Sequence, residues 1–158
     1  MNRNEETFMR RAIHLSVENA SGAKGGPFGA VVVKDEQIIA EGVNLVTSTM
    51  DPTAHAEIVA IRAACSVLKS FQLDGCELYT SCEPCPMCLG AIFWARPAKV
   101  HYGATQADAA RSGFDDSFIY EQIALPPNLR GIPMQQLLGS EALAAFEQWQ
   151  RNAAKTPY

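Results

Sequence analysis

Two prolines and two cysteines in five residues, Pro84-Cys85-Pro86-Met87-Cys88, leave this part of the chain few conformations. Pro84 keeps the backbone before it extended, whereas Pro86 suits the first position of a helix, where a missing N–H costs nothing. The segment therefore reads as the turn from a strand, Glu77-Leu78-Tyr79-Thr80, into a helix through Leu89-Gly90-Ala91-Ile92-Phe93-Trp94-Ala95. Cys85 then stands at the helix start and Cys88 within its first turn. The positive end of the helix dipole favours their ionised form there, and two thiolates can grip one metal ion.

A third donor lies upstream in Pro52-Thr53-Ala54-His55-Ala56-Glu57, which opens another helical run from Asp51-Pro52-Thr53. His55 and Glu57 are two residues apart and would point roughly 200° apart in mid-helix, so they converge only near a helix N-terminus. With His55, Cys85 and Cys88 as ligands, one Zn2+ per chain would keep a fourth position for water or hydroxide, as catalytic zinc sites do. Glu57 would carry the proton. H-x-E followed by P-C-x-x-C is the pattern of zinc-dependent nucleobase deaminases. Three other readings stay open: an iron–sulfur or Cys-rich site on Cys82, Cys85 and Cys88, a closed zinc site with Cys82, and a redox dithiol at Cys85 and Cys88. No fourth cysteine follows at the spacing a cluster needs, and Pro84 carries Cys82 away from the helix mouth. A dithiol gives His55 and Glu57 no task.

Around this pair of motifs the pattern is α/β. Phe8, Ala12, Ile13, Val17 and Ala20 recur at helical spacing between Asn4, a candidate cap, and Gly22, a stop. Phe28–Val33 and Gln37–Gly42, joined at Asp35-Glu36, read as a β-hairpin whose first strand is apolar throughout and central. Ile58, Ala60, Ile61, Ala64, Cys65 and Leu68 stripe the helix after His55. Lys99-Val100-His101-Tyr102-Gly103 completes a β-α-β unit with parallel strands. A three-layer α/β/α sandwich with a mixed central sheet follows. Farther on, 108–113 is a helix fragment or loop, 114–120 begins a helix that Leu125-Pro126-Pro127-Asn128 breaks, and 132–138 is an expected edge strand. Ser140 is expected to cap a last helix, Glu141 to about Asn152. His14 and His101 read as ordinary surface and structural residues, Asn44 as a turn residue, Phe28 as core, and Tyr158 as a frayed end.

Length 158 fits one domain. No apolar run reaches the ~18–20 residues of a membrane span, and Met1–Glu6 lacks the apolar stretch of a signal, so a cytoplasmic location with reduced cysteines is expected. Net charge is −4, which argues against a phosphate-tracking surface and for a small substrate rather than nucleic acid.

Thr53–Glu57 and Glu83–Ala91 resemble the cytidine deaminase-like superfamily. Gly25-Gly26-Pro27-Phe28-Gly29-Ala30, Tyr79-Thr80-Ser81-Cys82, Ile92–Pro97 and Gly113–Tyr120 resemble its bacterial guanine deaminases. The resemblance implies zinc on His55, Cys85 and Cys88, with Glu57 shuttling protons and Asp116 assisting the leaving amino group. It implies a purine base, guanine, contacted by Asn44, Ala54 and His55 and walled by Phe28 and Trp94. Tyr158 would come over the pocket from a C-terminal lid, about 140–158 of a single domain 1–158, exchanged between the protomers of a homodimer. A transfer-RNA adenosine deaminase shares the zinc motifs but needs a basic groove. Cytosine or triazines are further small substrates, and a non-catalytic zinc interaction module is the alternative outside enzymes.

Overall fold

The computed structural model describes residues 3–22 and 24–158, which divide into two compact units, Met1–Asp116 and Ser117–Tyr158. The first unit is built on a four-stranded sheet: β1 (Gly29–Lys34), β2 (Gln37–Val43), β3 (Glu77–Cys82) and β4 (Lys99–Ala104), in the order β2-β1-β3-β4. β1 pairs antiparallel with both neighbours, and β3 pairs parallel with β4, so the sheet is mixed as expected. Asp35 and Glu36 both take positive φ, 48° and 58°, the twist that a two-residue hairpin turn needs. β1 is the apolar strand because helices cover both its faces. On one side α1 (Arg3–Ser21) lays Ala12 and Leu15 over Val31, Val33 and Tyr79. On the other, α3 (Ala56–Leu68) and α4 (Pro86–Ala95) pack Ala60, Ile61, Ala64 and Ile92 against Ala30, Val32 and Leu78.

Arg11 ties α1 to the edge strand β2 by two parallel hydrogen bonds to Glu41, 2.7 and 2.6 Å. This fork–fork geometry is the strong form of the pair, and it draws the Glu41 carboxyl below its usual range. Gly42 allows the closest approach of β2 to α3: a Cβ there would meet the backbone oxygen of Ala56 and lie 2.6 Å from Ala60 N.

Several element boundaries differ from the sequence reading. Asn4 lies inside α1 and donates to Glu36 Oε1 at 2.8 Å, so it is no cap. α3 begins at Ala56, not at Thr53, because Asp51 Oδ1 accepts from both Thr53 N and Thr53 Oγ1 in a local turn. A short α2 (Val46–Thr49) precedes that turn. β3 runs two residues past Thr80, pairing Cys82 with Ala104. α5 (Gln106–Arg111) is a helix with a full capping box between Thr105 and Asp108. Cys65, expected to be buried, is only partly so.

The second unit holds α6 (Ser117–Ala124), a 3-10 turn at Pro127–Leu129, and α7 (Gly139–Arg151). The expected edge strand at 132–138 is absent among the described residues. Pro133 removes a donor there, and Ile132 and Leu137 stand exposed with no paired strand. Ser140 lies within the first turn of α7 rather than capping it, the N-cap being Leu138 at φ 51°. No helix among the described residues is long and apolar enough to cross a membrane.

Gly42→Ala is expected to lower unfolding free energy by about 2–3 kcal/mol by forcing β2 from α3. Urea denaturation checks this, and an unchanged midpoint would contradict the packing described.

Candidate active site

Two helix N-termini meet at the C-terminal end of β3. His55 is the N-cap of α3 (φ −69°, ψ 157°), and Cys85 is the N-cap of α4 (φ −65°, ψ 167°), with Pro86 in the first helical position. Extended backbone at both caps lets each side chain reach past its helix end instead of along its flank. Cys85 Sγ lies 3.5 Å and Cys88 Sγ 3.6 Å from His55 Nδ1, and the three donor atoms all fall within 4.8 Å of one another. Glu57, in the first turn of α3, turns inward beneath them, and Cys88 Sγ donates to its Oε2 at 3.5 Å. The convergence of His55 and Glu57 at a helix start is as their spacing requires.

The electrostatics suit a cation. The hydrogen bond shared with Cys88, then that with His55, draws the Cys85 thiol down to about 4, so this sulfur is a thiolate at neutral pH. The same shared bond, together with burial, pushes Cys88 upward. His55 is raised, chiefly by its bond to Cys85. Burial raises Glu57, which is only 6% exposed, above the ordinary carboxylate range. A divalent ion can replace the proton held between the sulfurs, and two sulfurs with one imidazole form a donor set that fits zinc.

Cys82 stands apart from this triad. Its Sγ faces Thr105 O at 3.7 Å, and burial pushes its thiol up to about 11, so it behaves as an inert packed group. His14 is exposed beside Glu18. His101 stacks on Tyr79 at 4.3 Å and lies 3.0 Å from Glu77.

Asn44 is buried and is more than a turn residue. Its Oδ1 accepts from Gly26 N at 3.1 Å and Val46 N at 3.2 Å, which fixes the amide orientation and leaves Nδ2 as the donor. Asn19 Nδ2 holds the Asn44 carbonyl at 2.9 Å. Gly25 has to be glycine, because a Cβ would come within 2.6 Å of Asn44 Oδ1. The next residue, Leu45, donates to Ala54 O at 2.9 Å, so the Asn44 strand end is tied to the residue preceding His55. Phe28 accepts Asn44 N on its carbonyl at 3.1 Å, and its ring meets Phe114 edge-on at 5.0 Å and 85°. Asp116 lies within electrostatic reach of His55, and its Oδ1 takes a 2.6 Å hydrogen bond from Gln106 Nε2.

Trp94 and Tyr158 are 64% and 71% exposed. Trp94 is on α4, away from the buried line Cys88, Ile92 and Ala95, and Tyr158 ends the second unit. The sequence motifs include Glu83 and Phe114 but give neither a role, and they leave out Gln106. Their partners are 10 to 86 residues away, and the capping box of α5 is the one local signal that a rigid element stands there.

Residues 2–104 match the family described as the cytidine and deoxycytidylate deaminase zinc-binding region. A guanine deaminase of Bacillus subtilis is 58% identical over 155 residues, 98% of this chain and 99% of the relative. The crystal structure of guanine deaminase from Bacillus subtilis superposes with a TM-score of 0.95 at 57% identity, covering 100% of this chain and 99% of that one. A transfer-RNA-specific adenosine deaminase of Agrobacterium fabrum is 47% identical over 97 residues, 61% of this chain and 63% of the relative.

Cys85→Ala and Cys88→Ala are each expected to cut bound metal about tenfold or more, whereas Cys82→Ala retains it. Elemental analysis of the purified variants checks this, and loss of metal from Cys82→Ala would contradict the three-residue donor set.

Proposed function

The chain belongs to the cytidine and deoxycytidylate deaminase zinc-binding family, and on that premise we propose that it hydrolyses guanine to xanthine and ammonia. The observation that carries this reading is the extent of the similarity. The likeness to guanine deaminase spans 98% of the chain and so includes the second unit, whereas that to the transfer-RNA enzyme spans 61%. The net charge of −4 also fits a small base better than a phosphate-lined substrate.

His55, Cys85 and Cys88 would hold one zinc ion per chain, with the fourth position of the tetrahedron left for water. When bound, the ion supplies the Lewis acidity that brings the pKa of water to about 7. Glu57, buried and raised in pKa, takes a proton from the attacking water at Oε and gives it to the ring nitrogen beside the amino-bearing carbon. The second water proton passes to the amino group, the C–N bond breaks with its electron pair on nitrogen, and ammonia leaves as the carbonyl forms. Asp116 receives the departing amine. Asn44 Nδ2, held outward by the two bonds to its Oδ1, donates to a purine acceptor. Phe28, braced by Phe114, and Trp94 stack on the ring, while Ala54 and His55 border it. The five unpaired cysteines fit a reducing compartment, and the cytosol is the proposed location.

The protein is further proposed to act as a homodimer in which the C-terminal segment, about 140–158, closes over the partner's pocket with Tyr158. α7 is amphipathic yet buries none of its residues: Leu143, Phe146 and Trp149 are 56%, 66% and 43% exposed along it. An apolar stripe of this kind calls for a covering partner.

Zinc-loaded protein is expected to release ammonia from guanine and not from cytosine, adenine or a transfer-RNA substrate. Glu57→Gln should lose activity by about 10³-fold or more while keeping its metal. Release from transfer RNA alone would overturn the substrate and keep the chemistry, and an active Glu57→Gln protein would overturn the mechanism.

Analytical ultracentrifugation is expected to find a dimer in solution, converted to monomer by Phe146→Glu together with Trp149→Glu. A monomeric wild-type protein would refute the assembly.

A further inference from the structure

Asp116 is the last residue of the first unit, in a stretch between α5 and α6 that belongs to no helix or strand. It follows Gly113, whose φ of +90° makes the chain's turn out of α5. Asp116 directly precedes Ser117, the first residue of α6. Gln106 Nε2 donates to Asp116 Oδ1 at 2.6 Å, a charge-assisted bond. Gln106 opens α5, where backbone N–H groups have no partner within the helix. Its own N–H donates to Glu83 Oε2 at 2.9 Å, and Glu83 N is in turn held by Ala104 O at 2.8 Å. Glu83 lies two residues before Cys85 on the chain that carries the thiolate turn. Thr105 and Asp108 cap the same helix start, which stiffens the base from which Gln106 reaches.

We infer that Gln106 is a positioning residue for the reaction: it anchors Asp116 Oδ1 to the helix start that Glu83 ties to the thiolate turn, so that Oδ2 is the oxygen presented to the departing amino group. This rests on the role proposed above for Asp116. The linkage explains how a carboxylate on an irregular segment keeps a constant distance from donors set by two other helices. A side chain that merely filled space would need no donor. Gln106 acts through Asp116 and does not touch the substrate.

Steady-state kinetics on guanine with zinc-loaded protein test this. Gln106→Leu, similar in size but without the donor, is expected to lower kcat by about 10- to 100-fold with KM changed less than about threefold. Gln106→Glu, which sets a second carboxylate against Asp116, should lower it further. Zinc content and melting temperature, read on each variant, should stay at wild-type values. In an Asp116→Asn background, where no carboxylate remains to be positioned, Gln106→Leu should add little further loss. Unchanged kcat in Gln106→Leu, or losses that multiply in the double variant, would overturn the inference. Wild-type kcat in Asp116→Asn would instead overturn the role of Asp116 itself, leaving Gln106 nothing to position.

Discussion

The site depends on one constraint, that two helices begin at the same place. His55 and Cys85 each occupy an N-cap, where the backbone is extended and the side chain projects beyond the helix end. Only from those positions can residues 30 apart in sequence bring Nδ1 to 3.5 Å from Sγ while a buried Glu57 lies two residues beyond the histidine. Two helix dipoles then direct positive potential at the Cys85 thiolate and help to explain how a half-buried sulfur stays ionised. Had α3 begun at Thr53, His55 and Glu57 would point to opposite sides of the helix, and the carboxylate would miss the site.

The sheet supplies the registration. β3 pairs with β1 on one side and β4 on the other, so the loops at its C-terminal end are held from both directions. β1 brings Phe28 to its near end, and β2 delivers Asn44, which is locked by Gly26, Val46 and Asn19. β4 leads into Thr105 and α5, and hence to Gln106 and Asp116. Phe28, Asn44 and Ala54 are thus fastened by backbone hydrogen bonds around the strand ends, and Asp116 by the Gln106 side chain. This is the arrangement in which small displacements of reacting groups are resisted.

Much of this was legible in the residues. Pro86 between two cysteines marks a helix start whatever surrounds it, because its ring tolerates few other positions. The apolar run 29–33 marks a central strand, and the H-x-E spacing demands a helix terminus. The reading was weakest after residue 105. There Ile132–Leu138 has strand-like composition but no strand beside it, since a strand exists only through a partner that local sequence does not name. Asp51 misleads for a related reason: Asp, Pro and Thr favour both a helix cap and a free-standing turn, and its bonds to Thr53 decide for the turn.

By itself, then, the sequence determined the donor types, the helix start at Pro86 and the order of the four strands with α1, α3 and α4. These follow from properties of single residues and of spacings shorter than one helical turn. Tertiary structure decided which donors meet. It placed Cys88 and excluded Cys82, whose Sγ faces Thr105 instead. It turned Asn44 from a turn residue into a fixed donor, and it joined Glu83, Gln106 and Asp116. Such partnerships span 10 to 31 residues, and their geometry is set by sheet register and helix packing, which no local stretch of chain encodes.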